Sequence, residues 1–161
     1  WIRYDRAFAF PNEFYVKEEN FGVTANLLVS KKVFDSIGGF DDTMFTGGDS
    51  EFCNRAVKDG FRISYDSDLI VKHPARDNWK SLQVKAIRFG GRLPKDKSRS
   101  KVILKIIGKF RIRLKDHARI WSENQISLKD RVAFSLIKQR LRWVEAWESM
   151  NVFFGKNAGR K

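Results

Sequence analysis

Two carboxylates, Asp49 and Glu51, follow a glycine pair in the stretch Phe45-Thr46-Gly47-Gly48-Asp49-Ser50-Glu51-Phe52-Cys53-Asn54-Arg55. Glycines let a backbone approach a ligand closely, and an acid in the first turn of a helix stays ionised because peptide N–H groups and the helix dipole favour its charge. An ionised carboxylate beside an approachable backbone suits a general base. A plainer role competes with it. Thr46 and Asp49 are spaced as a Thr-x-x-Asp capping pattern, which alone would account for the acid. The residues leave both readings open.

The second candidate is His73, one of two histidines, followed by Pro74 and Arg76. A neutral imidazole can ligate a divalent metal, and a guanidinium can pair bidentately with phosphate. No His-x-x-x-His, cysteine pair or strand-end Asp-x-Asp accompanies them, although Asp66-Ser67-Asp68 occurs in a turn, and a lone His before Pro is more often structural. His117 reads as a solvated helix residue. A nucleophile elbow, a phosphate-binding loop and a dinucleotide fingerprint are all missing from the sequence.

The elements that must position these residues are read from periodicity and punctuation. Gly22 to Val29 is expected as a buried strand, Ser30 as the N-cap of a helix from Lys31 to Ile37, and Gly38-Gly39 as its stop. A helix from Asp49 to Asp59 carries the two acids and ends at Gly60. Phe61 to Tyr65 alternates with period two, so a strand is expected there, and Leu69 to Val71 reads as another that delivers His73 at its end. A helix from about Trp79 to Phe89 closes at Gly90-Gly91, and Pro94 with the polar run Lys95 to Ser100 reads as a boundary, placing the domain edge near Arg92.

Composition separates the same two regions. The chain has 161 residues, a net charge of +13 and 42% hydrophobic residues, enough for one folded domain with an appendage. Residues 1–92 hold 14 basic and 13 acidic side chains, whereas residues 93–161 hold 18 and 6. Any anionic partner is therefore a matter for the tail. A single cysteine, Cys53, excludes an intrachain disulfide and a cysteine-cluster metal site. No apolar run approaches the roughly 20 residues that span a bilayer. The sequence opens at Trp1 without a leader, and the expectation is that the encoded N-terminus lies upstream.

Four stretches in order, Thr24-Ala25-Asn26-Leu27-Leu28-Val29, Val33-Phe34-Asp35-Ser36-Ile37-Gly38-Gly39-Phe40-Asp41, Gly47 to Arg55, and Ile70-Val71-Lys72-His73-Pro74-Ala75-Arg76, resemble the C-terminal half of bacterial family 2 glycosyltransferases of the GT-A fold. The resemblance covers about Phe21 to Arg92. It implies an α/β, Rossmann-like domain whose acceptor-side half is residues 1–92, followed by a basic amphipathic helical tail, residues 93–161. It further implies a single inverting displacement, in which Asp49 deprotonates an acceptor hydroxyl that attacks a nucleotide sugar. Gly48 stands where the family usually has Glu. Glu51 and Arg55 match family positions that pair structurally. The other residues assigned to substrate are Asn26, Gly47, Gly48, Glu51 and Arg76, and His73 resembles the late histidine that helps hold Mg²⁺ or Mn²⁺. The nucleotide-binding half would lie before Trp1, so the isolated segment is expected to bind donor poorly and be inactive. Polysaccharide or glycolipid synthesis in the cytoplasm, or at the cytoplasmic face of a membrane, would be the setting, with a sugar or lipid-linked acceptor.

The tail sets Ile103, Ile106, Ile107, Phe110, Leu114 and Trp121 at helical spacing among lysines and arginines, and a second helix from Ser127 to about Met150 would present Ala133, Phe134, Ile137, Leu141, Val144 and Trp147. These faces suit either packing on the first region or docking on an anionic membrane surface. A nucleic-acid-binding module ranks lower, since no recognition motif is evident and the Gly-Gly-Asp stretch has no role in it. A non-catalytic module derived from the transferase is the third reading.

Overall fold

The computed structural model describes residues 1–8, 10–93 and 98–158, and among them all regular structure is helical. The helices are α1 (Ile2–Phe8), α2 (Asn12–Glu19), α3 (Lys31–Ser36), α4 (Gly48–Lys58), α5 (Trp79–Gly90), α6 (Arg99–Phe110), α7 (Leu114–Ser122) and α8 (Leu128–Phe153), with a 3-10 turn at Thr24–Asn26. The chain forms two compact units: one is Asp5–Ala75, and the other joins Trp1–Tyr4 to the described residues from Arg76 onward. This partition assigns α5 to the same unit as α6, α7 and α8. The polar run expected as a boundary falls largely on residues 94–97, outside the described residues.

Within Asp5–Ala75, local punctuation sets the helices. The Ser30 hydroxyl accepts from the Val33 N–H at 3.3 Å and starts α3. Gly38 and Gly39, at φ 79° and 70°, end it by reversing the backbone. Helix α4 closes in the same way at Gly60, φ 90°, where the Phe61 N–H reaches back to the Ala56 carbonyl. Phe52, Cys53 and Ile37 form the buried centre, with Phe34, Val33 and Ile63 packed around it. Burying a ring such as Phe52 is worth about 1.5–3 kcal/mol, and this small core holds α4 against α3 and the extended segments.

The α/β, Rossmann-like GT-A architecture expected from the resemblance is not what the chain adopts. Among the described residues there is no strand. Gly22 to Val29, Phe61 to Tyr65 and Leu69 to Val71 are extended or turned, but none pairs with a neighbour in a ladder. Val23 and Leu27 have extended dihedrals, yet the Asn26 N–H closes a 3-10 turn onto the Val23 carbonyl and the Asn26 side-chain amide takes the Leu69 carbonyl at 2.9 Å. Period-two alternation reports one-sided burial, which Ile63 satisfies by packing on the core. It does not supply the partner strand that a sheet requires.

In the other unit, α8 packs against α5, α6 and α7. Its 26 residues run about 39 Å. The Ser127 hydroxyl accepts from the Asp130 N–H and donates to the Asp130 carboxylate, which also receives Arg3. Asn78 caps α5 through the Ser81 N–H at 2.9 Å. At the α5–α8 crossing a Cβ on Gly90 would lie 2.6 Å from the Glu145 carbonyl oxygen, and the buried Ser149 hydroxyl donates to the Gly90 carbonyl at 2.7 Å. Only small residues fit there, so α8 buries Ala146 and Ser149, together with Gln139 and Arg142, while Trp147 of the expected apolar face is exposed. The long tail helix expected through Trp121 breaks after Phe110. Side chains of α8 hold its last carbonyls: Trp143 donates to Phe110 O and Arg142 to Lys109 O, both at 3.2 Å. Among the described residues no helix is long and apolar enough to cross a membrane.

Candidate active site

Gly47 is the N-cap of α4 at φ 81°, a left-handed conformation that L residues with a Cβ rarely adopt. Because glycine occupies the cap, no side chain caps this helix, and the Thr46–Asp49 capping pair does not form. Gly48 begins the helix with open space where a side chain would project. Asp49 follows, half-buried, and one of its oxygens accepts from the adjacent Ser50 N–H at 2.9 Å. Among the described residues the carboxylate makes no further hydrogen bond or ion pair. Its position in the first turn of α4 places it in the favourable field of the helix N-terminus.

Glu51 is committed elsewhere. Arg55 donates to both its oxygens, from Nε at 2.5 Å and from Nη2 at 2.9 Å. The same guanidinium reaches the carbonyls of Ile37 and Gly39, the latter at 2.6 Å, and so ties α4 to the turn that ends α3. The Glu51 bond raises the Arg55 pKa above its ordinary value. One acid is thus fastened and its neighbour two residues earlier is not.

Cys53 lies one helical turn after Asp49, buried, with its Sγ donating to the Gly22 carbonyl at 3.9 Å. Burial pushes the thiol up, the Gly22 bond opposes this, and the Asp49 charge adds to the rise. A protonated thiol is a poor nucleophile, so Cys53 serves as packing.

A cavity of about 390 Å³ opens beside this core, walled by Asn12, Asn26, Leu27, Phe52, Cys53 and Ile63, among others. Asn26 is the one sequence-predicted site residue that lines it. Asp49, Glu51, Gly47, Gly48 and His73 do not. Among the described residues the Oδ1 atoms of Asn12 and Asn26 are buried acceptors without a hydrogen-bond partner. Asn12 was not singled out from the sequence, and its only local signal is its place directly after Pro11, where a helix begins.

His73 is exposed at the end of an extended segment. Its Nδ1 faces the Pro74 carbonyl at 2.9 Å and its ring meets the edge of Phe10 at 5.0 Å. Donation from Nδ1 leaves Nε2 as the only nitrogen open to a metal. Among the described residues no three His, Cys, Asp or Glu side chains converge. The described residues therefore do not by themselves make a site for Mg²⁺ or Mn²⁺. Arg76 begins the portion of chain that belongs to the other compact unit.

The sequence is similar in part to known proteins. Over 74 residues, 46% of the chain, the sequence is 31% identical to Glycosyltransferase AglE of Haloferax volcanii, covering 24% of that protein. Over 68 residues, 42% of the chain, it is 28% identical to the Pre-mycofactocin glycosyltransferase of Mycobacterium tuberculosis, covering 14% of it. The chain spans about a quarter or less of the length of the curated relatives it matches. No family model matches, and no solved structure matches. These similarities show a glycosyltransferase relationship extending over less than half of the chain.

Proposed function

We propose that the chain is the acceptor-side part of an inverting family 2 glycosyltransferase and that Asp49 is its base. The observation carrying this reading is the contrast within α4: Glu51 is held on both oxygens by Arg55, whereas among the described residues Asp49 bonds only the Ser50 N–H. A carboxylate so placed keeps an oxygen for an incoming alcohol. In the reaction the acceptor hydroxyl gives its proton to Asp49 while its oxygen forms a bond to the anomeric carbon of a nucleotide sugar. The bond from that carbon to the diphosphate breaks, and nucleoside diphosphate leaves. The similarity to two proteins named glycosyltransferases supports the reaction class.

The backbone at Gly47 and Gly48 gives an acceptor room to approach, since Gly48 carries no side chain and faces open space. Asn26, with a buried Oδ1 unpartnered among the described residues, offers an acceptor atom to a hydroxyl donor of the substrate. Among the described residues His73 has no companion metal ligands. The acceptor is a sugar or lipid-linked hydroxyl, and the pathway one of cell-surface glycan or glycolipid synthesis.

The test is Asp49→Asn in the transferase that carries this segment. Sugar transfer should fall by about a hundredfold or more, the usual range for losing a general base, with donor binding kept. Unchanged turnover would remove Asp49 from the chemistry.

A further inference from the structure

We propose that one side of α8, with the start of α7, docks on an anionic lipid bilayer. Leu128, Val132, Leu136, Trp143 and Trp147 fall within about 100° of arc on the α8 helical wheel and are exposed, whereas Gln139 and Ala146, near one edge of that arc, are buried. Leu136 and Trp147 are 67% and 64% exposed. The stripe runs about 28 Å along the helix. Two hydrogen bonds widen it. Trp121 Nε1 donates to Ser135 Oγ at 3.2 Å, placing a half-exposed indole at the edge of the stripe on the Leu128 side of the wheel. Trp143 Nε1 donates to the Phe110 carbonyl, and Ile112 and Leu114, just beyond, are 65% and 80% exposed.

Charge identifies the occupant. Lys129 and Arg140 lie at the margin of the stripe, Arg140 with its guanidinium stacked over the Trp79 ring at 4.1 Å, and Arg113 and Lys115 flank Leu114, all exposed. The three acids of α8 sit on its other side: Asp130 is bonded to Arg3 and Ser127, Glu145 is half-buried and Glu148 is buried. Residues 93–161 hold 18 basic against 6 acidic side chains. An apolar strip with exposed indoles and a cationic margin matches the headgroup and acyl boundary of a negatively charged membrane, where Trp and Leu enter and Lys and Arg meet phosphates. Of the two tail faces read from the sequence, Ile106 and Phe134 are buried in the helical unit, and only Trp147 of the second face belongs to the stripe. This inference does not depend on the role of Asp49.

The experiment is co-sedimentation of the 161-residue chain with vesicles of phosphatidylcholine, alone or mixed with phosphatidylserine. Binding is expected to the mixed vesicles and to weaken with added salt. Leu136→Ser with Trp147→Ser should lower it about tenfold or more, and Arg113→Glu with Lys115→Glu should lower it to a similar degree. No binding to the mixed vesicles overturns the proposal, as does binding unchanged by the Leu136 and Trp147 pair of substitutions. Loss of helicity in that pair shifts the decision to the unsubstituted chain. Brominated phosphatidylcholine in the mixed vesicles should quench its Trp fluorescence, and Trp147→Phe should reduce the quenched fraction; absence of quenching overturns the idea. Self-association in sedimentation velocity without vesicle binding assigns the stripe to a second copy and likewise overturns it.

Discussion

Arg55 holds Glu51 by both carboxylate oxygens and, from the same guanidinium, reaches the carbonyls of Ile37 and Gly39. Helix α4 is thereby fixed to the turn behind α3, and Asp49 rides on a helix held in place by its neighbour's ion pair. The two acids should respond differently to neutralisation. Glu51→Gln should cost about 1–3 kcal/mol of stability, seen as a lower urea midpoint, because the partly buried guanidinium loses its charged partner. Asp49→Asn should leave the midpoint within about 0.5 kcal/mol and lower sugar transfer about a hundredfold or more. Equal stability losses in the two variants would contradict the division of roles.

The glycine pair before Asp49 should also divide. Gly47 needs its φ of 81°, so Gly47→Ala should destabilise by about 1–2 kcal/mol. Gly48 has helical backbone and nothing within 4 Å of an added Cβ, so Gly48→Ala should be neutral or stabilise by up to about 1 kcal/mol. Thermal midpoints of the two variants, compared side by side, check the order.

Burial pushes Lys109 below the ordinary lysine range, with Lys105 and Arg142 adding to the fall and Glu145 opposing it. The ammonium donates to Ser149 Oγ at 2.9 Å. The unfolded chain therefore binds more protons than the folded one between the lowered value and 10.5, and this group makes stability rise with pH across that interval. Below the interval both states are protonated and the burial penalty is at its full size. Urea midpoints measured from neutral pH towards 10.5 should show a smaller rise, or steeper fall, for Lys109→Met than for the parent; identical slopes would contradict the assignment.

Cys53 titrates in the opposite sense. Its folded pKa is raised above 9.0, so the stability tied to the protonated thiol is present below that value and is lost as pH climbs through the folded pKa. At neutral pH a thiol reagent should react at a rate that follows unfolding, with a large acceleration in denaturant. Rapid labelling of the native chain would show instead that the thiol is accessible through the cavity it lines.

Where the sequence was legible, the governing forces were local. Ser30, Gly38-Gly39, Gly60 and Ser127 mark helix ends because capping and left-handed backbone need only a few consecutive residues. The extended stretches defeated the same approach. Phe61-Arg62-Ile63 alternates because Ile63 turns to the core, and nothing in the stretch itself says whether another strand lies alongside. The Thr46–Asp49 pattern looked like a cap, yet Gly47 takes that position through its backbone. On α8 the apolar spacing indicated Leu141, Val144 and Trp147, whereas the close approach of Gly90 selects Ala146 and Ser149, a requirement written in a helix some 60 residues earlier in the chain. Helix α2 escaped notice because its apolar residues share no face, and it buries none of them.

The absence of a side chain at position 90 has a practical reach beyond that one contact. Shortening the gene after Arg92, where the charge changes, would strip α5 of its cover and leave Leu82, Ala86 and the bare backbone of Gly90 facing solvent. Such a product should gather in inclusion bodies, whereas trimming behind Phe154 leaves the seam intact and should yield material fit for purification.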